Sequence, residues 1–231
     1  MQTMYEIFNN RNVLNIFCDA SLKPRGNTTD ICYGCIVVVE DTIIDSICRI
    51  NSGCTSNYGE AKGMSAALYM AAKYKNKFPV INIFCDSLYT VETMNNYYRN
   101  WTVDMQGQVY SKHELVPNQS PFIESMKTII ENQLVVNIFH QKGHVDYKSF
   151  KDVNNATNVF ARTNKIKRKI DYGFIRFISG YNNLIDQYTR SALLRFDNID
   201  NKVVTPFTNL IDSKQLSEYK SFKPNKDILY K

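Results

Sequence analysis

NIFCD at Asn15–Asp19 recurs at Asn82–Asp86, and a near-copy, NIFHQ, stands at Asn137–Gln141. Each is a short apolar run ending on polar residues, which reads as a buried strand. The stretches between them carry helical spacing. Tyr58–Tyr74 (YGEAKGMSAALYMAAKY) places Ala, Leu and Met at helical intervals, and Leu88–Tyr98 reads as a second helix. Pro121–Asn132 reads as a third, with Ser120 as N-cap and Pro121 in the first turn. Apolar strands separated by helices are parallel and covered on both faces. Val13–Asp19, Val80–Cys85 and Leu134–His140 are therefore expected as three neighbouring central strands under one burial constraint. Duplication explains the copies less well, because the connections do not repeat. A loop and hairpin follow Asp19, a helix follows Asp86, and a glycine loop follows Gln141.

Outward from these strands, Ile31–Glu40 and Thr42–Ile50 read as a hairpin turning at Glu40-Asp41. The order is β-β-β-α-β-α-α-β, continuing into helices, an α/β arrangement. The chain has 231 residues, 44% of them hydrophobic, enough for one generous domain with an appendage. All six cysteines lie in the first 85 residues. No charged leader with an apolar core opens the chain, and no apolar run is long enough to cross a bilayer. A reducing, cytoplasmic setting is expected, without a membrane partner. Cys32-Tyr-Gly-Cys35 has metal-ligand spacing but no second pair, and its surroundings, ICYGCIVVV, read as a strand. Abundant Asn and Tyr fit an AT-rich genome such as that of a phage, a virus or a low-GC bacterium; in the viral case the setting is the host cytoplasm. The net charge of +6 fits a nucleic-acid partner and equally an ordinary solvated surface.

Two carboxylates, Asp19 and Asp86, are expected at the C-terminal ends of adjacent parallel strands, the edge where ligand sites of open α/β sheets gather. In order and context, Asp19 in FCDAS, Glu60 in TSNYGEA, Asp86 in FCDSLYTV and the Gln141-Lys142-Gly143-His144 loop resemble the ribonuclease H type 1 family. The resemblance runs from about Val13 to Ala192. It implies an RNase H-like fold, a five-stranded mixed sheet in the order 3-2-1-4-5 with strand 2 antiparallel, flanked by helices. It implies cleavage of the RNA strand of an RNA–DNA hybrid, with two Mg²⁺ ions as cofactor and Mn²⁺ as a possible substitute. Clustered carboxylates suit that hard cation, and two ions about 3.5–4 Å apart activate water and stabilise the leaving oxygen. Asp19 would bridge both ions, Glu60 would reach over the sheet edge from its helix, and Asp86 would complete the second ion's shell.

The family's fourth carboxylate lies on a helix after the histidine loop, in an Asn-x-x-x-Asp context. Asn154 to Asn158 keeps the spacing but ends on an amide. Asn182 to Asp186 keeps the spacing and supplies a true carboxylate. Asp186 is preferred, since three preserved carboxylates argue against a dead site. This choice makes about 150–178 a helical insertion within a domain at 12–195. Its basic residues Lys165, Lys167, Arg168 and Lys169 either touch phosphates or form a solvated face.

The resemblance further implies a proton-shuttle or product-release role for His144, and substrate contacts at Ala20, Ser21, Asn57, Ser87, Lys142 and Asn182. Trp101 is expected either against the substrate's DNA strand or in packing. The basic handle of some members is not evident, because Lys112 is the only Lys or Arg from Trp101 to Ser120. The extension 196–231 carries no motif and little periodicity beyond Ser213–Tyr219. Three other readings stay open: a nuclease of this fold acting on DNA or structured RNA, a catalytically lapsed nucleic-acid-binding protein, and a partner-recruiting protein working through its tail.

Overall fold

The computed structural model describes residues 2–195 and 212–221. In chain order the first elements are α1 (Met4–Phe8), β1 (Val13–Arg25), β2 (Thr28–Val39), β3 (Thr42–Ser52), α2 (Ser56–Tyr74), β4 (Val80–Cys85) and α3 (Leu88–Asn95). Then follow β5 (Trp101–Val103), β6 (Val109–Ser111), β7 (Glu114–Leu115), α4 (Gln119–Asn132), β8 (Asn137–His140), α5 (Phe150–Thr163), α6 (Tyr172–Arg195) and α7 (Ser213–Ser221). The main sheet has the order β3-β2-β1-β4-β8. β2 runs antiparallel to both its neighbours, and β1, β4 and β8 are parallel. This is the RNase H arrangement of a mixed five-stranded sheet flanked by helices.

The three NIF copies stand side by side in register. Asn15 pairs with Asn82 and Asn82 with Asn137; Phe17 pairs with Phe84 and Phe84 with Phe139. Strand residues alternate between faces, so equal sequence in equal register builds rows across the sheet. Ile16, Ile83 and Ile138 face the core shared with α2, α3 and α4. Phe17, Phe84 and Phe139 face the opposite core with α1, α5 and α6, stacked at 4.9 and 5.4 Å between centroids. The asparagines form a buried chain of amides. Asn137 donates to Asn82 at 3.0 Å, Asn82 donates to Asn15 at 3.1 Å, and Asn15 donates to the Phe8 carbonyl at 2.7 Å. A buried amide is costly unless bonded, and here each supplies the next.

Several boundaries differ from those expected. β1 does not end at Asp19. Its parallel pairing with β4 stops at Cys18, but its antiparallel pairing with β2 continues to Arg25 opposite Thr28. The fifth strand starts at Asn137 rather than Leu134. α4 is not capped by Ser120: it starts at Gln119 after Asn118, whose left-handed backbone (φ 54°) makes the turn. The small sheet β5-β6-β7 was not expected at all. Trp101 lies in it, 2% exposed and edge-to-face with Phe122, so its ring is packed in the core. Cys32 and Cys35 are buried in β2. The described part of the C-terminal extension forms α7, whose Tyr219 is buried, meets Tyr98 edge-to-face and donates to the Met94 carbonyl at 3.0 Å. The extension's other residues, 196–211 and 222–231, lie outside the described residues. No helix among the described residues is long and apolar enough to cross a membrane.

Candidate active site

Strand parity decides which carboxylates meet. Asp19 and Ser21 follow Phe17 on β1 at even spacing, and Asp86 follows Phe84 just beyond β4. Their side chains therefore point to the α6 side of the sheet. α6 answers with Asn182, Asp186, Thr189 and Arg190. Asp19, Ser21, Glu60, Asp86, His144, Asp186 and Arg190 line one open cleft, with Ala20, Leu22 and Ser56 at its margin. Asn158 is exposed on α5 and is not in it.

Glu60 reaches the cleft from just past the first turn of α2, a helix that Thr55 caps by accepting from the Tyr58 amide. That helix lies tight on the sheet. A Cβ on Gly59 would stand 2.5 Å from Ile31 Cγ2, so only glycine permits the approach. Glu60 Oε2 is buried with no hydrogen-bond partner. Glu60 and Asp86 oxygens and the Cys85 thiol all lie within 4.8 Å of one another. Contact with Cys18 and burial push the Cys85 thiol well up, so it stays protonated beside the carboxylates.

The electrostatics are those of crowded, buried negative charge. Burial, reinforced by Asp86, pushes the Asp19 carboxyl up to about 8. Burial also raises Glu60 well above the ordinary range, with Cys85 and Asp19 adding to it. Asp86 is raised by burial against the opposing hydrogen bond from Asn182. Asp186 is held at one oxygen by Arg190 Nε at 2.8 Å, while His144 Nδ1 stands 3.8 Å from the other. Buried carboxylates with an orphaned oxygen are costly alone and are relieved by a cation. The donor set is hard oxygen, so these residues fit divalent magnesium or a similar ion.

The supporting shell is partly unlike expectation. Asn182, expected at the substrate, is buried instead, because α6 presses this face onto the sheet. Its Nδ2 donates to Asp86 Oδ2 at 3.2 Å and its Oδ1 accepts from Gln141 Nε2 at 2.7 Å. Gln141 thus sets which way the Asn182 amide points. Ser21 is buried, its hydroxyl 2.7 Å from Thr189 Oγ1 and 3.5 Å from Asp186 Oδ1. Ser87 caps α3 through the Thr90 amide. Ala20 is buried at the cleft wall, Asn57 is exposed on the first turn of α2, and Lys142 Nζ reaches back to the Gly143 carbonyl. His144 is exposed, with left-handed backbone (φ 50°). Sequence reading missed Gln141 as a supporting group and Arg190 as a cleft residue. Arg190 stands one helical turn after Asp186, and that spacing was the available signal.

The sequence model of the RNase H family matches residues 11–165. The match stops short of α6, and so of Asp186. No curated protein matches the chain. Similar solved structures include RNase H1 from the halophilic archaeon Halobacterium salinarum NRC-1, at 16% identity over 64% of this chain and 93% of that one, with a TM-score of 0.41. The RNase H domain of PFV is 16% identical over 68% of this chain and 96% of that one, with a TM-score of 0.47. LC11-RNase H1 in complex with RNA/DNA hybrid is 15% identical over 64% of this chain and 97% of that one, with a TM-score of 0.42.

Proposed function

The chain belongs to the RNase H family of hydrolases, and we propose that it is an endonuclease cutting the RNA strand of RNA–DNA hybrids. One observation carries this reading beyond the family: Asp19, Glu60, Asp86 and Asp186 converge on one open cleft, one of them with an orphaned buried oxygen. Asp19, Glu60, Asp86 and Asp186 would hold two Mg²⁺ ions, for which Mn²⁺ can substitute. When bound, the ions supply Lewis-acid stabilisation of charge at the scissile phosphate and a more acidic water.

The chain's own groups do the rest. Gln141 and Asn182 fix the Asp86 carboxylate by a two-step hydrogen-bond chain to its Oδ2. Arg190 tethers Asp186 and sets positive charge at the cleft margin, where a phosphate approaches. His144 is the one imidazole lining the cleft among the described residues, on an exposed turn suited to carrying a proton to or from the reaction. The products carry 5′-phosphate and 3′-hydroxyl ends. Asn57 and Lys142 would contact the sugar-phosphate backbone, as the resemblance implies, and the 2′-hydroxyl separates RNA from DNA.

The test is a matched panel in Mg²⁺: labelled RNA–DNA hybrid, single-stranded RNA, duplex RNA and duplex DNA. Cleavage of the hybrid alone is expected. Equal cleavage of duplex DNA or duplex RNA would transfer the assignment to a nuclease of the same fold with another substrate.

A further inference from the structure

Most of the chain's excess charge sits in one place. Residues 150–178 hold seven lysines and arginines against two aspartates, which accounts for five of the six net positive charges. Lys151, Lys165, Lys167, Lys169 and Arg176 are all exposed, and none takes part in an ion pair among the described residues. Solvation alone accounts for a charge run, but a second feature accompanies this one. Phe150 is 65% exposed at the start of α5, and its ring meets that of Tyr172, at the start of α6, edge-to-face at 5.3 Å. A pair of exposed rings amid lysines is what unstacked bases and their phosphates recognise.

Placement links this patch to the cleft. Tyr172, Arg176, Gly180, Gln187 and Arg190 recur at helical spacing and form one stripe along α6. Arg190 lines the cleft. At Gly180, midway, an added Cβ would meet nothing within 4 Å, so the stripe is open there. From Asp186 back to Tyr172 the helix runs about 21 Å, room for several nucleotides of a single strand. The far side of the segment is fastened: the Asn164 amide donates to the His140 carbonyl at 2.7 Å and accepts from the His140 amide at 2.9 Å. The basic segment is thereby anchored to the β8 edge next to Asp86, whose carbonyl contacts the His140 ring.

We propose that this α6 stripe is a track for a single-stranded flank of the nucleic acid held in the cleft. Bases stack on Phe150 and Tyr172, and phosphates meet Arg176 and the lysines of 165–169. The track deepens the hybrid-cleavage reading and rests on it. It replaces the basic handle that the stretch from Trp101 to Ser120 lacks.

The test measures binding by the full chain carrying Asp19→Asn, so that cleavage does not intervene, with fluorescent hybrids that are blunt or extended by a single-stranded DNA or RNA overhang. An overhang is expected to raise affinity about tenfold. Phe150→Ala with Tyr172→Ala should abolish that gain and leave blunt-hybrid binding unchanged. Lys167→Ala with Lys169→Ala should lower the salt dependence of overhang binding by about 1.4 in the log–log slope. A gain from the DNA or the RNA overhang alone identifies which strand uses the track. An overhang without effect, or variants that weaken blunt and extended hybrids alike, would overturn the proposal. Cleavage by the parent chain with no overhang effect removes the track and keeps the activity. Overhang-dependent binding without cleavage of any hybrid does the reverse.

Discussion

Gly143 has no room for a side chain: a Cβ there would stand 2.4 Å from Asp86 Oδ2, the oxygen that Asn182 also holds. The glycine in the loop is therefore a packing requirement of the carboxylate beside it, as well as a turn. Gly143→Ala should swing Asp86 and cost about 10- to 100-fold in apparent Mg²⁺ affinity. Its unfolding temperature should stay within about 2 °C of the parent, since the loop is at the surface. Activity titrated with Mg²⁺ and a thermal scan check both; an unchanged Mg²⁺ dependence would refute the contact. The carboxylates that meet in the cleft were named from the sequence, Asp19, Glu60 and Asp86 by residue type and local context, Asp186 by choice against Asn158 at the same spacing. Gln141 was not, because its use depends on strand parity and on an α6 side chain far away in sequence. Asn182 was assigned to substrate for the same reason: nothing local says that a helix will bury it.

Three strands written alike make three rows across the sheet, and the Phe and Asn rows, on one face, differ in what they contribute. The Phe row is hydrophobic packing. The Asn row is a polar chain whose members depend on one another, with Asn82 in the middle. Asn82→Ala strands Asn15 Oδ1 and Asn137 Nδ2 in the core, and should destabilise the protein by about 3 kcal/mol. Denaturant unfolding measures this, and a loss below about 1 kcal/mol would show that the chain of amides is replaceable. The alignment of the three strands was readable from their identical apolar runs. The hydrogen bonds along the Asn row were not, because they exist only once register is set. The small sheet β5-β6-β7 was unreadable for another reason: its strands have three, three and two residues, too short for alternation to show. α7 showed in the sequence only as the weak periodicity of Ser213–Tyr219, because just Leu216 and Tyr219 are buried.

The whole protein holds a cluster of negative charge that folding forces inward, and its stability should therefore depend on both protons and cations. In the native state Asp19 keeps its proton up to about pH 8, whereas in the unfolded chain it ionises in the ordinary carboxylate range. Between those limits the native state binds the extra proton. The stabilisation is complete below the unfolded pKa and is lost as pH rises through the folded one. Metal-free protein in EDTA should accordingly lose roughly 3–10 °C of unfolding temperature from pH 5 to pH 8. Mg²⁺, which binds the ionised carboxylates, should restore more of it at pH 8 than at pH 5. An apo protein that grows more stable over that range would contradict the buried-cluster description.

The choice between Asp186 and Asn158 joins all of this. Asn158 has the shorter loop from the histidine and lies within the family match, yet it faces solvent on α5. Asp186 lies beyond the match but on the helix that faces Asp19 across the cleft. The most direct measurement is hybrid cleavage in Mg²⁺ by the parent chain, Asp186→Asn and Asn158→Asp side by side. The parent should cut, Asn158→Asp should match it, and Asp186→Asn should fall about a thousandfold. A silent parent that gains activity with Asn158→Asp would contradict the account, and would place the fourth ligand on α5.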